Sequence, residues 1–231
     1  MSTLTIDFEN TLFMNGILSG EELSSDAVCS WIYESYKRQK EEIDAEIDAT
    51  MEMIENIKNN VPMEEIDVEK MTEEETEETI ETLNEIINDL KEKKPELTLI
   101  INSPGGEYDH LIQIYDTIQL LDASVRTVVN GSAFSAGAIL AISGTCGKRY
   151  ITPNSRLMFH AVSMGMEGKV QDTRVDLKEA ERLNQQMAQL IKHHTGIADD
   201  KVQLYTDRDI YITPEEAVKL KMIDEIVTSI N

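Results

Sequence analysis

A serine in the stretch GSAFSAG, residues 131–137, has a setting in which a hydroxyl could act as a nucleophile. Ser135 lies between two apolar runs, where a predicted strand gives way to a predicted helix. Unpaired N–H groups at a helix start favour negative charge, and the small neighbours Ala133, Ala136 and Gly137 leave room for a substrate. A serine that only caps a closely packed helix has the same pattern. The stretch alone leaves both interpretations open.

His160 is the histidine whose setting best fits a general base. It follows the apolar run RLMF at the end of a predicted strand, whereas His110 begins a predicted helix. His193 and His194 end another predicted helix, where the helix dipole favours a protonated imidazole. Imidazole changes its protonation state near neutral pH, so His160 could take a proton from a serine. A hydrogen-bonded histidine of the core is the alternative interpretation.

An acid that orients the imidazole is the third group that such a site needs. The segment TDRDIYITPEEAV places Asp207 and Asp209 in a loop before a short extended run. Asp209 directly precedes Ile210 and Tyr211, so it could be partly buried. A solvated acid in a turn is the alternative interpretation.

The turn NSPGG could supply backbone N–H donors for the negative oxygen that forms when a nucleophile attacks a carbonyl. Gly105 and Gly106 allow backbone conformations and close approaches that a Cβ atom would prevent. The N–H of Ala136, the residue after Ser135, is the candidate second donor. A Pro-Gly turn is common, so this pentapeptide is weak evidence by itself.

The elements predicted around these residues alternate between strand and helix. ELTLIINS and SVRTVVNG have the apolar content of strands, and HLIQIYDTIQLL and SAGAILAIS have that of helices. KRYITPNSRLMFH predicts a strand, a turn and a second strand, and a polar helix is predicted over 170–194. TLTIDFENTLFMNGIL predicts one or two strands near the start of the chain. This alternation indicates an α/β architecture with largely parallel pairing.

The segment 33–94 differs in composition from the rest of the chain. It contains 21 acidic and 8 basic side chains, a net charge of −13 out of −23 for the whole sequence. Two sets of apolar residues recur at helical spacing, and Pro62 lies between them. Thr72 and Glu75 form a capping-box pattern at the start of the second set. The segment therefore predicts a helical hairpin with an acidic outer face.

Composition excludes several classes of function. The formal net charge of −23 opposes binding to nucleic acid and to anionic lipid. Cys29 and Cys146 are the only cysteines, so we expect neither a disulfide framework nor a zinc site. The N-terminal segment resembles no signal peptide, and no apolar run is long enough to span a bilayer. We therefore expect a cytoplasmic protein with no membrane partner.

Read together, these motifs resemble the proteolytic subunit of the Clp protease, a family of serine peptidases with the ClpP/crotonase-like fold. The resemblance runs from about Leu97 to Val227 and is carried by INSPGGEYDHLIQIYDTIQLL, GSAFSAGAILAISGTCGKRYITPNSRLMFH and HHTGIADDKVQLYTDRDIYITPEEAVKLKMIDEIV. It implies an α/β fold of repeated β-β-α units with a protruding handle helix. By the same resemblance, the acidic helical hairpin would be an insertion into that fold.

This resemblance predicts three parts of the chain. Residues 1–32 would form the N-terminal strands and helix start of the peptidase domain, residues 33–94 the insertion, and residues 95–231 the peptidase core. The handle region would cover about 163–195 and interlock two rings. The insertion is either a solvated decoration or an interaction element: a docking surface, a gate, or a device that changes ring assembly.

The family's functional residues fall on positions that the local patterns had already singled out. The resemblance implies Ser135 as nucleophile, His160 as general base and Asp209 as orienting acid. It places the oxyanion donors on the backbone of Gly106 and Ala136. The chain order Ser, His, Asp also differs from that of α/β-hydrolases. No metal or organic cofactor is implied.

Three residues near this site are expected to shape the substrate pocket: Gly105, Phe134 and Ala161. The family usually has a small residue where Phe134 stands, so this ring could narrow the cleft. It usually has Met at position 136 and Gln-Pro directly after the catalytic histidine. Glycines that usually follow the PGG turn are replaced by EYDHL, which would alter how a substrate strand pairs there.

The resemblance implies a serine endopeptidase that cleaves unfolded polypeptides or peptides inside an oligomeric chamber. Its partners would be further copies of the chain, which form a ring that stacks on a second ring. A Clp-type ATPase that unfolds substrates would be another partner. Three alternatives stay open. They are a catalytically weak or inactive ring subunit, a viral capsid-maturation protease, and a crotonase-fold acyl-CoA enzyme, for which no adenine-binding feature is present.

Overall fold

The computed structural model describes residues 2–4, 11–15, 24–59, 61, 71–165 and 167–230. Its strands are β1 Ser2–Leu4, β2 Thr11–Asn15, β3 Glu96–Ser103, β4 Ser124–Phe134, β5 Arg149–Ile151, β6 Arg156–Phe159, β7 Ile210–Ile212 and β8 Glu225–Ile230. Its α-helices are α1 Ser25–Lys58, α2 Glu73–Glu92, α3 Tyr108–Leu120, α4 Ala136–Ile142, α5 Val170–His194, α6 Asp199–Val202 and α7 Pro214–Lys219. A 3-10 helix, Gln203–Thr206, follows α6.

The chain divides into two compact units. The core unit consists of Met1–Tyr33 and Glu96–Asn231, and the hairpin unit of Glu34–Pro95. Helix α1 contributes residues to both, because it runs without a break from Ser25 to Lys58. No helix in the described part of the chain combines the length and the apolar content that crossing a membrane requires.

One sheet organises the core unit. Its strands lie in the order β1-β8-β5-β4-β3-β2, and each neighbouring pair is parallel. Parallel strands require crossover connections and are usually buried on both faces. In β3, both faces are buried from Leu97 to Ile101. This burial explains why ELTLIINS is a nearly continuous apolar run.

Helices α3 and α4 pack into the main core of this unit. Every residue of α4 is buried, and α3 buries Leu111, Ile114, Tyr115 and Ile118 at helical spacing. The small residues of α4 allow this complete burial. Glycine at position 137 lies against β3, since a Cβ atom there would lie 3.2 Å from the carbonyl oxygen of Ser103.

Strand β4 is longer than the sequence predicted. The predicted helix SAGAILAIS begins only at Ala136, and the residues before Ser135 remain extended. The first part of β4 pairs with β5, and Ser132–Phe134 then pairs with β6. Asn102 also accepts a hydrogen bond from the N–H of Ser132 at 3.1 Å. These tertiary partners hold this part of the chain in a strand and place Ser135 at its end.

Among its described residues, the hairpin unit contains the second part of α1 together with α2. The apolar residues that it buries are Ile43, Ile54, Ile57, Ile87 and Leu90. The predicted capping box starts α2: the N–H of Thr72 donates to Glu75 Oε2 at 2.8 Å, and the N–H of Glu75 donates to Thr72 Oγ1 at 3.2 Å. Val61, directly before Pro62, lies beyond the end of α1 and is exposed.

Candidate active site

Ser135 has a backbone conformation that is rare for a residue with a side chain. Its φ is 52° and its ψ is −118°, which costs about 1–3 kcal/mol for a non-glycine residue. Hydrogen bonds hold this conformation on both sides. The N–H of Ser135 donates to the carbonyl of Met158 at 2.8 Å, and its own carbonyl accepts from Ala138 at 3.0 Å. The sharp turn between β4 and α4 therefore sets the direction of the Ser135 side chain.

The turn after β3 packs directly against this serine. A Cβ atom on Gly105 would lie 2.7 Å from Cβ of Ser135 and 2.8 Å from the carbonyl oxygen of Phe134. The φ of Gly105 is +105°, which also favours glycine. Ser103 Oγ accepts the N–H of Gly105 at 3.1 Å and fixes the turn. Glycine is thus required at position 105 by both space and backbone conformation.

His160 reaches Ser135 from the neighbouring strand. It follows β6 directly, and the register of β6 on β4 pairs Phe134 with Met158. His160 Nε2 lies 2.7 Å from Ser135 Oγ, within hydrogen-bond distance. A nucleophile and a base in this contact form the core of an activated-serine site.

Asp209 is not engaged with this pair. Its side chain is exposed, and the described residues show no hydrogen bond between it and His160. The backbone nevertheless places the two residues side by side. Strand β7 is antiparallel to β6, with Phe159 opposite Ile210, so the next step of this register brings Asp209 opposite His160. The structure thus joins two of the three expected residues and leaves the third at an adjacent position with its carboxylate in solvent.

A cavity of about 370 Å³ opens beside the serine. The residues that line it are Gly106, Glu107, Tyr108, Leu111, Ser135, Ala136, His160, Ala161, Val162, Ser163 and Met187. Both backbone groups expected as oxyanion donors, Gly106 and Ala136, are in this set. Ala136 is the first residue of α4, so its N–H has no acceptor within that helix. The cavity therefore brings Ser135, His160 and the two candidate donors to one place.

The three residues expected to shape the pocket have different positions. Ala161 lines the cavity, whereas Gly105 lies beneath Ser135. Phe134 does not line the cavity. Its ring contacts Tyr211 edge to face at a centroid distance of 5.7 Å, and the guanidinium of Arg156 lies 5.3 Å from its centroid. The ring of Phe134 is thus held in a cation–π contact with Arg156, and its effect on the width of the substrate cleft stays a prediction.

Several cavity residues carried no chemical signal in the sequence. Met187 is an apolar residue of α5, and only the tertiary packing brings it to the cavity. Asn184, one turn earlier, accepts the N–H of Val162 at 2.7 Å and ties the segment after His160 to α5. Tyr108 stands in EYDHL, the stretch that departs from the family pattern. Burial raises the pKa of Tyr108 to about 12, so its hydroxyl keeps its proton at neutral pH.

The helix dipole predicted that a protonated imidazole is favoured at both histidines that end α5, but His194 differs from this prediction. Burial, followed by the charges of His193 and Arg149, lowers the pKa of His194 from its usual 6.5 to about 4. His194 Nε2 lies 2.8 Å from the hydroxyl of Tyr115. Desolvation outweighs the dipole here, so His194 is neutral at pH 7.

Comparison with known proteins relates this geometry to a family. The family model described as Clp protease matches residues 65–230, which is more than half of the chain. The chain belongs to the Clp protease family. The predicted membership is confirmed, and so is the predicted α/β fold of the ClpP/crotonase-like class.

Individual Clp relatives match a shorter region. The chain is 42% identical over 132 residues to ATP-dependent Clp protease proteolytic subunit 1 of Corynebacterium diphtheriae, which is 57% of this chain and 63% of that protein. It is 40% identical to proteolytic subunit 2 of Corynebacterium jeikeium, again over 57% of this chain and 63% of the relative. It is 39% identical to proteolytic subunit 1 of Corynebacterium glutamicum, over 57% of this chain and 64% of the relative. The chain thus spans less than two thirds of the length of these Clp relatives.

Proposed function

We propose that the protein is a serine endopeptidase that cleaves peptide bonds through an acyl-enzyme. The observation that carries this proposal is the 2.7 Å contact between Ser135 Oγ and His160 Nε2. Membership of the Clp protease family and the names of the relatives support a peptidase. The strained backbone of Ser135 and the adjoining cavity support the assignment of the nucleophile.

The proposed reaction begins with a proton transfer. His160 Nε2 takes the proton of Ser135 as Oγ forms a bond to the carbonyl carbon of the peptide. The N–H groups of Gly106 and Ala136 donate to the oxygen that becomes negative. His160 then gives its proton to the leaving amine as the C–N bond breaks. Water attacks the acyl-enzyme, His160 accepts a proton from that water, and Ser135 regains its hydrogen as the carboxylic acid leaves.

Asp209 is the proposed orienting acid. For Nε2 to accept a proton, Nδ1 must carry one, and a carboxylate beside Nδ1 stabilises that tautomer and the imidazolium. The β6–β7 register supports this role because it brings Asp209 opposite His160. Engagement requires the Asp209 side chain to turn from solvent towards the imidazole.

The proposed partners are further copies of this chain in a ring, with two stacked rings, and a Clp-type ATPase. The first half of α5 supports assembly, because the buried residues of this helix begin only at Ala180. Val170, Val175 and Leu177 are exposed in that half, by 66%, 67% and 50%. Apolar side chains on an unburied helix half favour contact with another protein. The relatives' names contain the words ATP-dependent, which supports an ATPase partner.

Hydrolysis of an unstructured fluorogenic peptide by the purified, assembled protein tests this proposal. We expect Ser135→Ala to lower kcat/KM by at least about 10⁴-fold. Ser132→Ala is the matched control, since Ser132 lies in the same stretch but on β4, and it should retain most of the activity. If wild type and Ser135→Ala hydrolysed the peptide at equal rates, the proposal would be refuted.

The exposed position of Asp209 favours a second candidate, a weakly active or inactive ring subunit. Such a subunit would keep the scaffold and the handle helix without a working triad. It would assemble normally and yet give little or no turnover as a homogeneous preparation. A kcat/KM at least about 10⁴-fold above that of Ser135→Ala, in a preparation of this chain alone, would exclude it.

A further inference from the structure

The strand that leads to His160 ends one residue before it. Strand β6 pairs with β4 as far as Met158 and with β7 as far as Phe159, and residues 160–165 belong to no helix or strand. Strand pairing therefore fixes the backbone on the N-terminal side of His160. The backbone on the C-terminal side needs a separate anchor to keep the imidazole at a fixed distance from Ser135.

Asn184 provides this anchor through the backbone of Val162. The N–H of Val162 donates to Asn184 Oδ1 at 2.7 Å. Within the part of the chain that the structure describes, this is the one hydrogen bond made by residues 161–165. Val162 is also the last half-buried residue of the segment, which is exposed from Ser163 to Gly165. The bond thus holds the chain two residues after His160, just before it becomes exposed.

Helix α5 keeps Asn184 in a fixed position. Its neighbours on the helix, Leu183, Met187 and Ile191, are buried. Met187 and Ile191 belong to the main core cluster, and Met187 also lines the cavity beside Ser135. Close packing of these side chains restricts movement of the helix. The side-chain oxygen of Asn184 is therefore a stationary acceptor for the N–H of Val162.

The imidazole of His160 depends on this backbone anchor because no carboxylate holds it. Its Nε2 lies 2.7 Å from Ser135 Oγ, and the described residues show no hydrogen bond between it and Asp209. The direction of the ring then follows from the backbone on the two sides of His160. A displacement of about 1 Å in a reacting group costs about 100-fold in rate, so a loose segment after His160 would slow the reaction.

The bond also requires a residue with a backbone N–H at position 162. Proline has none, and the family usually has proline there, in the Gln-Pro pair that follows the catalytic histidine. Relatives with this proline cannot make the same bond. The contact with Asn184 is available in this chain because residue 162 is valine.

We propose that Asn184 is a positioning residue for His160: its hydrogen bond to the N–H of Val162 holds the imidazole within reach of Ser135. This inference rests on the proposed serine peptidase function and adds a residue that acts through the general base. Asn184 does not line the cavity beside Ser135, so it affects the rate through His160 and not through contact with substrate. Loss of its side-chain acceptor should therefore lower kcat and change KM little.

Steady-state hydrolysis of a fluorogenic peptide by assembled variants tests this inference. Asn184→Leu keeps a similar volume without an acceptor, and we expect kcat to fall about 10- to 100-fold with KM within about threefold of wild type. Asn184→Asp keeps an oxygen acceptor and should retain kcat within about threefold of wild type. Gln185→Leu is the matched control, since it makes the same apolar change at the next, exposed residue of α5 and should leave kcat unchanged.

Val162→Pro tests the same bond from the donor side. The substitution removes the N–H that Asn184 accepts, so the bond is absent whatever residue stands at position 184. In the Val162→Pro background, Asn184→Leu should therefore change kcat by less than about threefold. A fall in kcat as large as in the wild-type background would show that Asn184 acts by another route, and the positioning role would be refuted.

The rate of fluorophosphonate labelling at Ser135 separates the possible failures. If wild type is labelled and Asn184→Leu keeps its labelling rate and kcat, the positioning role is refuted and the peptidase function stands. The same holds if Asn184→Asp or Gln185→Leu loses as much kcat as Asn184→Leu. If wild type is neither labelled nor active, both proposals are refuted. Should Asn184→Leu fail to fold or assemble, Asn184→Ser replaces it with the same expected loss, because the serine hydroxyl is too short to reach the N–H of Val162.

Discussion

Two histidines of the core unit each contact a hydroxyl at nearly the same distance. His160 Nε2 lies 2.7 Å from Ser135 Oγ, and His194 Nε2 lies 2.8 Å from the hydroxyl of Tyr115. The first pair borders a cavity and includes a residue with a rare backbone conformation. The second pair packs in the core, where burial lowers the pKa of His194 to about 4. A short contact between histidine and hydroxyl is therefore common to both pairs, and what distinguishes the first pair is its access to a cavity and the rare backbone conformation of its serine.

Replacing each histidine in turn should give the largest difference in kcat/KM between the two pairs. We expect His160→Gln to lower kcat/KM for peptide hydrolysis by about 10⁴-fold or more, because the base of an activated serine is lost. His194→Gln should keep kcat/KM within about threefold of wild type at pH 7 and 25 °C, since neither His194 nor its partner Tyr115 lines the cavity. Steady-state kinetics on assembled protein measures both. Similar losses of kcat/KM in the two variants would contradict the claim that only the Ser135–His160 pair takes part in hydrolysis.

Asp209→Asn tests whether the exposed acid joins the His160 pair during turnover. An asparagine cannot stabilise the imidazolium, so we expect kcat to fall by about 10³-fold with little change in KM. Asp200→Asn, another exposed acid of the core unit, is the control and should have no effect. Full activity of Asp209→Asn would show that the exposed position seen here is also the working one.

Gly105→Ala should lower kcat by displacing Ser135, and it should leave the Tyr115–His194 pair unaffected. The new Cβ atom would press on Ser135, and a displacement of about 1 Å in a reacting group costs about 100-fold in rate. Gly147→Ala is a control for backbone conformation, because Gly147 also has a positive φ, +86°, but open space where the Cβ atom would lie. A fall in kcat with Gly105→Ala alone is the expected outcome. Equal effects of the two substitutions would assign the cost to φ and not to contact with Ser135.

The free energy of unfolding should depend on pH through the half-buried His194. The unfolded chain binds a proton at His194 below about pH 6.5, whereas the folded protein resists it until about pH 4. Stability from this group is therefore complete above pH 6.5 and falls as the pH drops towards 4, by about 1–2 kcal/mol once solvent screening is considered. Urea unfolding at pH 7 and pH 5 measures it. The loss between these pH values should be smaller in His194→Gln than in wild type.

Local patterns predicted the parts of this molecule that depend on local chemistry. The polar helix 170–194 and the Thr72–Glu75 capping box have the predicted bounds and partners, because helical spacing and capping are set within a few residues. The family resemblance predicted that Ser135 and His160 belong to one site. The residues around each of them in the sequence had left other interpretations open. The Ser135–His160 contact arises because β4 and β6 are adjacent in the sheet.

The remaining features depend on tertiary contacts that no local pattern carries. Helix α1 is continuous through residue 33, although the change in composition and the boundary between the two compact units both lie there. The contacts of Phe134 with Arg156 and Tyr211 depend on strand register, and so does the place of Asp209 opposite His160. The low pKa of His194 follows from burial, which outweighs the dipole that its place in the sequence implies.

Fluorophosphonate labelling followed by peptide mass spectrometry tests the central claim, that Ser135 is a nucleophile activated by His160. The account predicts one label per chain, located on the peptide that contains Ser135. It also predicts labelling at least about 100-fold slower in His160→Gln, with His194→Gln close to wild type. A label elsewhere, no label in the assembled protein, or an unchanged rate in His160→Gln would contradict it.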